Sequence, residues 1–155
     1  MRLRMSIPEL HAFLAEVFPQ MAGRFEIVGL EPMRARVRMT AGAADLRPGG
    51  TVSGPAMFGL ADVAFYIVTL AMIGPEPLTV TTSCAIDFLR KPAPGALVAE
   101  ARLLKLGRSL AVGDVLLYSE GGAAPVARAG LTYSIPPARR TGGSGKDAGP
   151  GGPAG

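Results

Sequence analysis

Ser53 to Gly74 reads SGPAMFGLADVAFYIVTLAMIG, and Asp62 is its only charged residue. Ser53 suits the N-cap of a helix and Pro55 an early helical position, where a missing N–H is not needed. Gly74-Pro75 closes the segment. The spacing predicts a helix over about 54–73, roughly 27 Å long over its 18 or so regular residues at about 1.5 Å per residue. It is apolar nearly all round, and such a helix is buried on all sides. A lone carboxylate there costs several kcal/mol unless it is neutralised, paired or kept for a purpose. Desolvation raises a carboxyl pKa unless hydrogen-bond donors or a cation offset it, and that combination suits acid–base or nucleophilic work. The bland alternative is an acid paired to a hydroxyl or a backbone group for structure alone.

The rest of the chain frames this helix. Ser6, Pro8 and Glu9 mark a helix start, and Leu10, Phe13, Leu14, Val17 and Phe18 keep helical spacing until Pro19. This gives an N-terminal helix over about 6–19. Phe25–Leu30 and Ala35–Met39 read as two strands, the second alternating Arg34, Arg36 and Arg38 on a wet face with Ala35, Val37 and Met39 inside. A Gly- and Ala-rich loop follows, containing Arg47-Pro48-Gly49-Gly50. After Pro77, four strands are expected at 78–89, 97–106, 109–119 and 126–135, the last three joined as a meander with turns at 105–108 and 120–122. Residues 138–155 are Gly, Pro and Ser with scattered charge, a composition expected to stay disordered. The organisation is one α+β domain over 1–137, a single antiparallel sheet around one long helix.

Composition narrows the chemistry. At 155 residues the chain is 48% apolar, only 18% charged, and has a mean hydropathy of +0.31. A chain this greasy either covers an apolar face with a partner or enters a membrane. The helix is long enough to span, but its central Asp and the strands on both sides argue against it. The net charge of +4 fits an anionic partner. Aromatics make up only 6% and interleave with no dense basic run, which disfavours nucleic acid and leaves phosphates of a small ligand. With one cysteine, Cys84, and one histidine, His11, a Cys/His metal site is short of ligands. No cofactor is expected. The charged start MRLRMSIPEL lacks an apolar core, and a cytoplasmic setting is the default expectation.

The helix start offers free N–H groups and a positive dipole end, and Gly54 lets a carbonyl approach closely. Asp62 lies eight residues on, roughly 12 Å along the axis, so the two cannot serve one reacting atom within one chain. In a dimer with antiparallel central helices, Asp62 of one chain approaches the helix start of the other. Ser53 and Gly54 equally suit a plain cap and tight turn.

The segments RPGGTVSGPAMFGLADVAFYIVTLAMIG, TVTTSCAIDFLRKPAPGALVAEARLLKLGRSLAVGDVLLYSEG and VARAGLTYSI resemble the hotdog-fold acyl-CoA thioesterases of the phenylacetate-degradation (PaaI-like) type, over about Phe25 to Ile135. Gly59-Leu60-Ala61-Asp62 matches the acidic part of the family pattern. The resemblance implies that Asp62 is nucleophile or general base, that Gly54 N–H polarises the thioester carbonyl, and that the chain forms a homodimer or a dimer of dimers. It implies a hydroxyl from the partner chain's long strand, with Thr81 and Thr82 as the matches. It also implies substrate or CoA contacts at Arg47, Gly50 and Pro55, and at Arg90, Lys91, Lys105, Gly107 and Arg108, where basic side chains suit phosphates; a solvated rim is the alternative. Ser53 stands where the family has His, Pro55 where it has a second Gly, and Arg47 near an Asn of many members. Those departures keep a non-catalytic acyl-CoA binder open as the second reading. Met57, Phe58, Phe65 and Met72 suit an acyl pocket or the core. Tyr66, one turn past Asp62, suits donation to it or simple packing.

Overall fold

The computed structural model describes residues 1–137; the expected disordered tail, 138–155, lies outside the described residues. Helix α1 spans Ile7–Val17 and starts with a capping box: Ser6 Oγ accepts from Glu9 N–H, and Glu9 Oε1 accepts from Ser6 N–H. Phe18 caps its end and Pro19 opens a single 3-10 turn. Strands β1 (Phe25–Glu31) and β2 (Arg34–Met39) pair antiparallel, and the arginines of β2 face outward over buried Ala35, Val37 and Met39. His11 is structural, its Nε2 accepting the Ile27 N–H at 3.2 Å.

Helix α2 spans Gly54–Ile73. Ser53 Oγ caps it by accepting from Ala56 N–H at 3.3 Å, and Gly74, at φ 95°, ends it in a conformation other residues resist. Strands β3 (Val80–Phe88), β4 (Leu97–Leu106), β5 (Leu110–Ser119) and β6 (Ala127–Ser134) complete one six-stranded antiparallel sheet of order β1-β2-β4-β5-β6-β3. β4, β5 and β6 form the expected meander, and β3 crosses over to the far edge beside β6. Strand propensity identifies β3 but carries no information on which neighbour it pairs with.

The sheet curls around α2, whose Leu60, Ala61, Ala64, Phe65, Ile67, Val68, Leu70 and Ala71 are fully buried. Gly113 on β5 makes the closest fit. A Cβ there would lie 2.1 Å from the Arg102 carbonyl oxygen and 2.7 Å from the Phe65 ring, so only glycine lets the helix sit this low on the sheet. Met57, Phe65 and Met72 belong to this core, while Phe58 stays 39% exposed. By length and composition α2 could cross a membrane, yet 72% of its most apolar window is buried inside the sheet.

One stripe of α2 is left uncovered. Pro55, Phe58, Gly59 and Asp62 are exposed or half-buried at spacing i, i+3, i+4, i+7, a single helix face. Beside it runs β3, an edge strand with no strand on its outer side among the described residues; its end residues Val80 and Phe88 and the flanking Leu78 and Leu89 are between 48% and 66% exposed. A long apolar edge of this kind is a template for another chain.

Candidate active site

Asp62 sits on the uncovered stripe with two hydroxyls aimed at it. Thr81 Oγ1 donates to Asp62 Oδ1 at 2.7 Å, and Tyr133 Oη lies 2.6 Å from the same oxygen and 2.7 Å from the Asp62 main-chain carbonyl. The hydroxyl expected from a partner chain thus comes from the same chain as the acid. Among the described residues no lysine, arginine or histidine bonds to the carboxylate, so hydroxyls alone meet the charge.

A break in the sheet register decides which threonine serves. Phe88, Ile86 and Cys84 stand opposite buried Ala127, Ala129 and Leu131, which sets the inward phase of β3. Simple alternation from there would send Thr82 inward. The register shifts between Thr81 and Ser83, so Thr82 is the extra residue and Thr81 faces Tyr133 instead. A bulge of this sort re-aims a side chain. Thr82 Oγ1 turns away to the Thr132 carbonyl at 3.1 Å.

Tyr133 is buried at 2% exposure between Phe65 (centroids 4.9 Å apart) and Tyr66 (6.3 Å). Desolvation first, then the Asp62 charge, pushes its phenol far above the ordinary tyrosine value, so it remains a proton donor. Sequence reasoning did not select it; the only signal was a tyrosine at an inward position of β6, whose hydroxyl needs a partner when buried. Tyr66 does not donate to Asp62. Its ring packs edge-on against Phe18 at 5.8 Å and its hydroxyl is buried without a partner among the described residues; desolvation raises the phenol to about 12. Cys84 is half-buried nearby, and burial followed by the Asp62 charge pushes its thiol up.

The other expected residues fall into two groups at opposite ends of β3. Val80 pairs with Ser134, which pairs with Leu110, so the Lys105-Gly107-Arg108 turn lies at the end that holds Asp62 and Thr81. Phe88 is at the other end, and there its ring closes on Gly54: a Cβ on that glycine would lie 3.2 Å from Phe88 Cζ. Arg90, Lys91 and the helix start share this second end, where the Arg90 guanidinium is tied to the Pro125 carbonyl. The two ends of β3 are about 26 Å apart at roughly 3.3 Å per strand residue, and Asp62 and Gly54 are about 12 Å apart along α2 at roughly 1.5 Å per residue. One chain therefore does not bring Asp62 together with Gly54, nor Arg90 and Lys91 with Lys105 and Arg108.

At the helix start the Gly54 N–H donates to no group among the described residues, whereas the next two donors are satisfied by Ser53 (Ala56 by Oγ, Met57 by the carbonyl). Ser53 is thereby committed to the cap, and Pro55 sits exposed in the first turn. Arg47 is exposed in the preceding loop, where its carbonyl accepts from Gly50 N–H at 3.0 Å and closes the turn; Gly50, at φ 81°, takes a turn role.

Comparison with known proteins agrees with this architecture. The family model for the thioesterase superfamily matches residues 49–126, half of the chain. A crystal structure from Silicibacter sp., whose assignment as a thioesterase is itself provisional, is 55% identical over 88% of this chain and 96% of that one, with a TM-score of 0.83. A mutant of the phenylacetic acid degradation protein PaaI from Thermus thermophilus is 30% identical over 76% of this chain and 99% of that one, with a TM-score of 0.65. A Streptococcus mutans protein bound to acetyl CoA, 24% identical over 75% of this chain and 91% of that one, shares the fold with a TM-score of 0.66. No curated protein matches. A six-stranded antiparallel sheet wrapped on one long helix, the family match across the helix and β3, and the likeness to PaaI all converge: this chain is a hotdog-fold member of the thioesterase superfamily, PaaI-like in kind.

Proposed function

We propose that the chain hydrolyses an acyl-CoA thioester with a small aromatic or medium-chain acyl group, at a site built from two copies. The observation that carries this reading is the Asp62 carboxylate, held by Thr81 and Tyr133 on the one face of α2 that the sheet leaves open.

The edge strand supports the two-copy site. If β3 pairs antiparallel with β3 of a second copy about its middle, the Val80 end of one meets the Phe88 end of the other. Asp62 of one copy then stands near Gly54 of its partner. The same pairing joins Lys105 and Arg108 of one copy to Arg90 and Lys91 of the other, giving a basic rim for the CoA phosphates. It also covers the apolar edge and the exposed helix stripe. Two such dimers can associate further into a tetramer.

In the reaction, the thioester carbonyl oxygen accepts a hydrogen bond from Gly54 N–H at the positive end of α2, which stabilises charge as it develops. Asp62 either attacks the carbonyl carbon or takes a proton from the water that does. The C–S bond breaks, the sulfur takes up a proton to leave as free CoA, and water supplies the oxygen of the released acid. No metal or further cofactor enters this scheme. Hydrolysis of an acyl-CoA panel by the wild type and by Asp62→Asn tests it: turnover lost in the variant is expected, and equal rates refute it.

A non-catalytic acyl-CoA binder is the second reading, favoured by one observation: Ser53 stands where the family has His, and its hydroxyl is spent on the cap. Tight binding of CoA esters with no turnover across the panel would select it.

A further inference from the structure

We infer that Tyr133 is a positioning residue that, with Thr81, saturates Oδ1 of Asp62 and leaves Oδ2 as the oxygen that reacts. The inference rests on the hydrolase reading above.

Three features of the geometry carry it. First, both hydroxyl donors converge on one oxygen, at 2.7 and 2.6 Å, so the available in-plane lone pairs of Oδ1 are taken. Oδ2 has no partner among the described residues, and Asp62 is half-buried on the uncovered helix face. Second, Tyr133 bridges the side chain of Asp62 to the main-chain carbonyl of the same residue. One hydroxyl proton shared between those two acceptors pins the carboxylate against its own helix and fixes its rotamer. Third, the phenol cannot drift. Its ring is wedged between Phe65 and Tyr66, and its strand position is locked in register with Thr81 on one side and Ala111 on the other.

Tyr133 is thus the rigid member of the pair, anchored in the core, whereas Thr81 sits on an exposed edge strand. The titratable groups facing Asp62 are Tyr133 on β6 and Cys84 on β3. Neither is a cation, so the two donated hydrogen bonds are what holds the carboxylate in place.

The test is Tyr133→Phe, which keeps the ring and removes the donor. It is interpreted once the wild type turns over an acyl-CoA and Asp62→Asn does not; if that contrast fails, the hydrolase reading has failed rather than this inference. A hydrogen bond to a charged group corresponds to about a tenfold to hundredfold change. The expected result is a fall of that size in kcat with KM within about twofold. Unchanged kcat overturns the inference. So does a fall in kcat accompanied by an equal or larger rise in KM, which is the signature of a displaced site rather than a lost donor. If the Phe variant does not fold, 3-fluorotyrosine placed at position 133 keeps the packing and strengthens the donor. At constant KM, kcat should then change, and an unchanged kcat overturns the inference.

Discussion

Phe88→Asp tests whether the β3 edge is a chain–chain contact. Phe88 ends the edge strand, is 52% exposed, and has no strand on its outer side. Half of a phenylalanine side chain is on the order of 100 Å² of apolar surface, or about 2.5 kcal/mol at about 25 cal/mol/Å². Two-fold symmetry counts the residue twice, so covering it contributes at most about 5 kcal/mol per dimer. Buried area converts poorly into affinity, and a quarter of that figure is a cautious floor. The dimer dissociation constant should therefore rise at least about tenfold and at most about 10⁴-fold. Sedimentation equilibrium over a dilution series reads it directly. Leu104→Asp is the control: Leu104 is 58% exposed but belongs to β4, away from this edge, and should leave the constant unchanged. A dimer equally tight with Asp at 88, or one loosened as much by Asp at 104, would refute the reasoning.

Thr81→Val should lower kcat by about tenfold to a hundredfold through loss of a hydrogen bond to a carboxylate, while Thr82→Val, which gives up only a bond to the Thr132 carbonyl, should leave kcat near wild type. The reverse ranking would show that the bulge does not operate as described. Gly113→Ala should cost about 3 kcal/mol or more in chemical denaturation, because its Cβ would fall 2.1 Å from a backbone oxygen that cannot move aside cheaply. The raised phenols predict alkaline unfolding. The folded state holds the Tyr66 proton up to about 12 against an ordinary 10, so stability is full below pH 10 and falls as pH climbs from 10 towards 12. A flat unfolding free energy across that window would contradict the burial of Tyr66.

The local signals were legible in the sequence because the relevant groups are neighbours in the chain. Ser6 with Glu9, Ser53 with Pro55, and Gly74 fix both helices through bonds three or four residues long. The alternation of β2 likewise separates arginines from core. Long-range pairings were not legible. Nothing in the residues of β3 says that it lies beside β6 rather than β4, because the same apolar, β-branched pattern suits either neighbour. The choice between Thr81 and Thr82 turned on one inserted residue, and a one-residue slip reverses which side chain points inward. Tyr133 lies 71 positions from Asp62, and only the closed sheet brings its hydroxyl to the carboxylate. Phe65 and Met72 read equally well as pocket or core; both are buried, and for Phe65 it is the close approach that Gly113 admits that makes it core.

A site divided between two copies is most directly tested by mixing two inactive variants. Asp62→Asn removes the acid. Gly54→Pro removes the N–H donor at a first-turn position, after a Ser53 already in extended conformation, and the added ring pushes the half-exposed Phe88 ring aside. Each variant alone should be inactive. Refolded together in equal amounts, half of the dimers are mixed, and each mixed dimer rebuilds one of its two sites from the intact Asp62 of one chain and the intact Gly54 of the other. Acyl-CoA hydrolysis should then return to about a quarter of the wild-type rate. A mixture that forms mixed dimers yet stays as inactive as its parents would contradict the shared site.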